Sequence, residues 1–179
     1  PHDLDAALHA QLAKLTFGLS PASMAAAYLD WLVHLSFSPG RRAELAAQAA
    51  GQAARLGVQA VQSALGAPVE APMHDKRFAD PVWQRWPYNF IAHAFLLQQQ
   101  WWHAATTGVR GVSPHHESLV DFAARQWLDL LSPSNFLLTN PELLQRTAET
   151  GGANLRQGAQ NWLEDAARLF AHQPPAGTE

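Results

Sequence analysis

Along most of the chain, apolar residues return every three or four positions, the spacing of a helix face rather than the alternation of a strand. After Ser20-Pro21, the residues Met24, Tyr28, Trp31, Leu32 and Leu35 recur in this way. Between Asn89 and Thr107, Phe90, Ile91, Ala94, Phe95, Leu97, Trp101, Trp102 and Ala105 form a broad aromatic stripe, which Gly108 and Gly111 with Val112 bring to an end. From Pro114 the stripe Val120, Ala124, Trp127, Leu128 and Leu131 runs up to Ser132-Pro133. A last segment, roughly 155–170, sets Leu155, Trp162, Ala166 and Leu169 on one side. The stretch after Ser38-Pro39 is an Ala-rich helix through about Leu65, with side chains too small to bury much alone. No β-branched alternating run of strand length occurs. The expected fold class is all-α: capped helices in a compact helical unit, with an N-terminal helical arm.

Punctuation agrees with periodicity. Ser20-Pro21, Ser38-Pro39, Asp80-Pro81, Ser113-Pro114, Ser132-Pro133 and Asn140-Pro141 all pair a short polar residue with proline. The polar side chain accepts from the free amides of a first helical turn, and proline at the next position has no amide to leave unpaired. Each pair predicts a helix start. Gly66-Ala67-Pro68 closes the Ala-rich helix. The expected organisation is an arm over 3–65, a linker over 66–74, a denser helical unit over 75–171, and a tail or linker over 172–179. Five of the seven tryptophans, Trp83, Trp86, Trp101, Trp102 and Trp127, fall in the denser unit between 83 and 127, and no repeat of fixed period is visible.

Composition then removes whole classes of chemistry. The 179 residues include no cysteine, so a disulfide framework, a thiolate zinc site, an iron–sulfur cluster and a cysteine nucleophile are all excluded from them. Lys plus Arg number 12 against 15 Asp plus Glu, a formal net charge of -3, which gives little electrostatic pull on nucleic acid. Residues 86–109 hold no Lys, Arg, Asp or Glu, but Pro87, Asn89, His93, Gln98, Gln99, Gln100 and His103 interrupt them. A membrane span needs about 20 mainly apolar residues, so no transmembrane span is expected. Pro1-His2-Asp3 is not the basic opening of a signal peptide, and the missing Met suggests a processed or trimmed chain.

Candidate reactive groups read mostly as structure. Gly111-Val112-Ser113-Pro114-His115 lacks the second glycine of a nucleophile elbow, and Ser113 suits a helix cap better. His115 and His116 are adjacent and so diverge by about 100° on a helix. Asp30 and His34, one turn apart, permit a structural carboxylate–imidazole pair. Gly151-Gly152 reads as a turn between helices. No metal or cofactor site is expected. The aromatic residues remain: mostly core by their spacing, but the adjacent Trp101 and Trp102 cannot both be buried by one helix face. One of them is expected at an edge or interface, where an amphipathic indole is favoured.

Several strings resemble a known family. Leu19-Ser20-Pro21 through Tyr28-Leu29-Asp30-Trp31, with His34-Leu35 and Ser38-Pro39-Gly40, resembles the N-terminal region of bacterial poly(3-hydroxyalkanoate) synthases. Asp75-Lys76-Arg77-Phe78-Ala79-Asp80-Pro81-Val82-Trp83 is similar to that family's D-x-R-F-x-x-P-x-W opening, and the strings at 132–142 and 149–165 resemble its internal signatures. The resemblance runs through most of 15–170. It implies a parent enzyme that polymerises hydroxyacyl-CoA into polyester by acyl transfer, through a Cys–His–Asp triad in a domain that has no counterpart here. No catalytic residue carries over, and the chain alone is expected to be inactive. What the resemblance does imply is a supporting role: dimerisation, attachment to the polyester granule and support of the catalytic domain, in the cytoplasm at granules. The residues expected at such a surface are Trp83, Trp86, Phe95, Trp101 and Trp102, some of them doubling as core. The alternative is a free-standing granule-associated or regulatory binding protein made of this region only.

Overall fold

The computed structural model describes residues 20–66 and 75–171. In chain order the helices are α1 (Pro21–Ser36), α2 (Pro39–Ala64), α3 (Tyr88–Thr106), α4 (Pro114–Leu130), α5 (Pro141–Glu149) and α6 (Ala153–Phe170). Short 3-10 helices lie at Lys76–Phe78, Pro81–Gln84 and Pro133–Asn135, and the described residues contain no strand. The fold is all-α. Most of the expected linker, the expected tail over 172–179 and the arm before Ser20 lie outside the described residues.

Every proline pair opens a helix, but not all helices are alike. Those at Pro21, Pro39, Pro114 and Pro141 begin α-helices, whereas Pro81 and Pro133 begin 3-10 helices of four and three residues. Side-chain capping is also selective. Asp80 accepts from the Val82 amide, Ser113 from His116 and Asn140 from Leu143, while Ser20 and Ser38 make no such bond. The Ser38 hydroxyl donates back to the His34 carbonyl instead, and at both sites proline alone marks the start.

Helix α3 is the centre. Helix α1 packs chiefly on α4, α2 on α3, and α3 on α4 as well as on the 3-10 helix at Pro81–Gln84. The segment read as an arm therefore folds back on the denser unit. One core cluster joins Phe78, Trp83, Ala92, Phe95 and Leu96, and a second joins Ala27 and Trp31 of α1 with Val109 and Val120.

Four side chains converge on the last turn of α3, where carbonyls lack helical partners. The Trp31 indole donates to the Ala105 carbonyl at 2.8 Å, and Arg41 of α2 donates to the carbonyls of Ala104 (2.6 Å) and Thr107 (3.2 Å). From α4, Glu117 accepts from the Gly108 amide at 2.8 Å and Asp121 accepts from the Thr106 hydroxyl at 2.9 Å. A cation at a helix C-terminus also meets the negative end of the helix dipole.

Candidate functional site

The five aromatic residues singled out in the sequence separate into different environments. Trp83 is fully buried and Phe95 nearly so, with Phe78 edge-on to both rings at 4.8 and 6.0 Å between centroids. Neither presents a face to a partner; they are core because the 3-10 turn at Pro81–Gln84 drives the indole into the hydrophobic side of α3. Trp83 also ties this turn to α5, its Nε1 donating to Glu142 Oε1 at 2.6 Å. Trp101 and Trp102 each lie at an interface between helices. Both are half-buried, because neighbours lie on both sides of α3. Trp101 donates to the Leu45 carbonyl of α2 at 3.0 Å, and Trp102 packs against the cluster of α1 and α4. Trp86 is exposed, with its ring tilted against Phe90.

An apolar concavity lies on another side of α3. Helices α1, α3 and α4 enclose a groove of about 630 Å³, walled by Tyr28, Trp31, Trp102, Trp127, Leu128 and Leu131. Gln98 and Thr106 also line it. Tyr28 and Trp127 stand at its rim, 51% and 54% exposed. Of the five expected residues only Trp102 reaches it. The signal for the others was present: Met24, Tyr28 and Trp31 lie on the α1 stripe, and Trp127, Leu128 and Leu131 on the α4 stripe. What the stripes did not disclose is that α1 and α4, although packed on one another, leave an apolar concavity beside α3.

The titratable clusters flank this groove and serve the packing. Asp30 of α1 bridges two imidazoles: His116 Nδ1 at 2.6 Å and His34 Nδ1 at 3.0 Å, with the Ser113 amide donating at 3.3 Å. The His116 hydrogen bond, with help from Ser113 and the neighbouring imidazoles, holds the Asp30 carboxyl below its ordinary value against the opposing effect of burial. Burial alone would raise Asp121; hydrogen bonds from His103 and Thr106 and the charge of Arg125 outweigh it and hold that carboxyl low. Both imidazoles at Asp30 turn the same nitrogen to one carboxylate, which is a staple between helices rather than a chelate. Among the described residues no group of three or more His, Asp or Glu side chains is placed to hold a metal ion.

The recognisable strings are likewise architectural. Arg77 donates to both oxygens of Asp75, to Asp129 of α4 at 2.7 Å and to Gln99 of α3 at 3.0 Å, while its guanidinium lies 5.3 Å from the Phe95 ring centre. In the string at 132–142, Asn135 donates to the Asp129 and Leu130 carbonyls at the end of α4, and Asn140 both donates to the Ser134 carbonyl and caps α5. Gly151 and Gly152, at φ 57° and 83°, turn the chain from α5 into α6, a left-handed backbone that glycine adopts without strain.

Comparison with known proteins follows the same stretches. Residues 74–174 match the family model described as "Poly-beta-hydroxybutyrate polymerase (PhaC) N-terminus", and residues 1–41 match "Poly-beta-hydroxybutyrate polymerase N terminal". The chain is 40% identical over 107 residues to a poly(3-hydroxyalkanoate) polymerase of Methylorubrum extorquens, covering 59% of this chain and 18% of that protein. It is 39% identical over 98 residues to the poly(3-hydroxyalkanoate) polymerase subunit PhaC of Cupriavidus necator, covering 54% of this chain and 16% of the relative. The aligned stretch thus spans less than a fifth of these relatives. No solved structure matches. Among the described residues no helix is long and apolar enough to cross a membrane.

Proposed function

Since the chain belongs to the family of poly-beta-hydroxybutyrate polymerase N-terminal domains, we propose that it acts as the non-catalytic docking domain of a polyhydroxyalkanoate polymerase. The parent reaction would transfer hydroxyacyl groups from CoA to a growing polyester through a thiolate, and these 179 residues contain no thiol. Their part is to hold the enzyme at the cytoplasmic polyester granule, to support the catalytic portion and to favour self-association.

The observation that carries this reading is the apolar groove between α1, α3 and α4 with its two rim aromatics. Attachment by charge would need a basic patch, and the chain carries a formal net charge of -3. Apolar contact does not. Trp127 is 54% exposed; covering the exposed part removes roughly 100 Å² of indole from water, about 2–3 kcal/mol at 25 cal/mol per Å². Binding of the purified chain to washed poly(3-hydroxybutyrate) granules, measured by co-sedimentation, should therefore fall tenfold or more in Trp127→Gln. Sedimentation velocity on the same variant reads self-association. Unchanged granule binding together with an unchanged oligomer would overturn the reading.

A further inference from the structure

Helix α6 has 18 residues and buries none of them. Its apolar side chains nevertheless form one stripe: Leu155, Ala159, Trp162, Ala166 and Leu169 recur at helical spacing, flanked by Leu163 and Phe170. Trp162 is 69% and Phe170 84% exposed. The opposite face carries Arg156, Gln157, Gln160, Glu164 and Arg168. A helix that is apolar along one side has a partner there in the working molecule, because solvated stripes of this kind gain nothing from their pattern.

The helix is also built to stand away. Its packing partner in the fold is α5, across the Gly151-Gly152 turn. That turn is fixed: the Gly152 amide donates to the Thr147 carbonyl at 2.8 Å, and Asn154 bonds both Thr147 and Thr150. Trp83 in turn anchors α5 through Glu142. The stripe is therefore presented in a set direction rather than left to a loose end.

We propose that this face docks the polypeptide that lies C-terminal to the domain in full-length polymerases, by seating the α6 stripe in an apolar groove of that portion. The inference rests on the docking reading above and names the partner of a second surface. Two observations select this occupant. First, the matched family is the N-terminus of the polymerase and the match covers 16–18% of two relatives, so the bulk of their chain follows this region. Helix α6 is the last described element, and any such continuation emerges beside its own docking face, at the high effective concentration of a tethered partner. Second, a copy of α6 is a poor alternative. One face of a helix about 27 Å long falls short of the roughly 800 Å² per partner that a stable dimer interface uses.

The test uses the 179-residue chain and, as probe, the C-terminal polypeptide of the Cupriavidus necator polymerase that lies beyond its matched region. Amide hydrogen exchange across 153–170 should slow at least tenfold when the probe is added. The double variant Leu155→Gln/Trp162→Gln, whose side chains are already exposed and whose circular dichroism should not change, should lose that protection and the binding. Exchange across α6 that stays fast at saturating probe would overturn the inference. So would protection that grows with the concentration of the chain alone, which indicates a second copy, or protection by polyester granules without the probe. Granule binding through the groove is read separately with Trp127→Gln, so either proposal can fail without the other.

Discussion

Trp83 offers the sharpest separation of core from docking surface. Its indole is fully buried among Phe78, Ala92, Phe95 and Leu96, and its one polar atom donates to the Glu142 carboxylate at 2.6 Å. Replacing it with phenylalanine removes that donor and the outer part of the ring together. A hydrogen bond to a charged acceptor contributes about 2 kcal/mol, and the void left by the smaller ring costs about 1 kcal/mol more. A loss of about 3 kcal/mol in a chain of this size corresponds to a fall in Tm of roughly 6–12 °C. Thermal unfolding of Trp83→Phe followed by circular dichroism measures it. Glu142 is exposed and recovers water when its partner is lost, so Glu142→Gln alone should cost about 1 kcal/mol. The double variant should be no less stable than Trp83→Phe by more than a few tenths of a kcal/mol. Granule binding by folded Trp83→Phe should match the parent chain. A Tm within 2 °C of the parent, or weakened granule binding at full folding, would refute the assignment of Trp83 to the core.

Other consequences follow from single positions. A methyl group added at Gly111, where φ is +99°, would fall 2.3 Å from His34 Cδ2; Gly111→Ala should lower the urea midpoint by the equivalent of about 1–3 kcal/mol and release His34 from Asp30, visible in histidine NMR. Gln59 of α2 is buried with neither amide atom hydrogen-bonded, so Gln59→Leu should stabilise the fold by about 1–2 kcal/mol in the same urea titration. Asp30, Asp75 and Asp121 are all held below the ordinary carboxyl value of 3.8. The unfolded chain then binds more protons just under that value, so their contribution is complete above pH 3.8 and is lost as acid passes through the lowered native values. An acid titration followed by circular dichroism should show this loss, and Asp121→Asn should flatten it.

How far the sequence foretells the molecule depends on the range of the interaction. Local signals held: four of the six polar–proline pairs open α-helices within a residue of the expected place, because cap and proline act on the next turn alone. The two that open 3-10 helices do so where the short turn itself carries a buried residue, Trp83 in one case and Pro133 in the other. The start of α3 carries no polar–proline pair; Pro87 itself occupies the cap position. Long-range geometry was less legible. The adjacency of Trp101 and Trp102 called for an edge or interface position for one of them but did not say which neighbour takes which ring: α2 takes one indole and α1 with α4 receives the other. Trp83 and the stripe residue Phe95 also read as a surface, and only the fold of the Pro81–Gln84 turn over α3 decides between surface and core. The groove exists because three stripes face one another, a relation that no single stripe contains.

The grip on the final turn of α3 has a consequence for how the molecule comes apart. Trp31, Arg41, Glu117 and Asp121 reach it from three different helices, so fraying that one turn releases α1, α2 and α4 together. Opening there is close to opening the whole, and proteases should find the helical body all-or-none in its resistance. Helix α6, outside that grip, is the foldon that yields first.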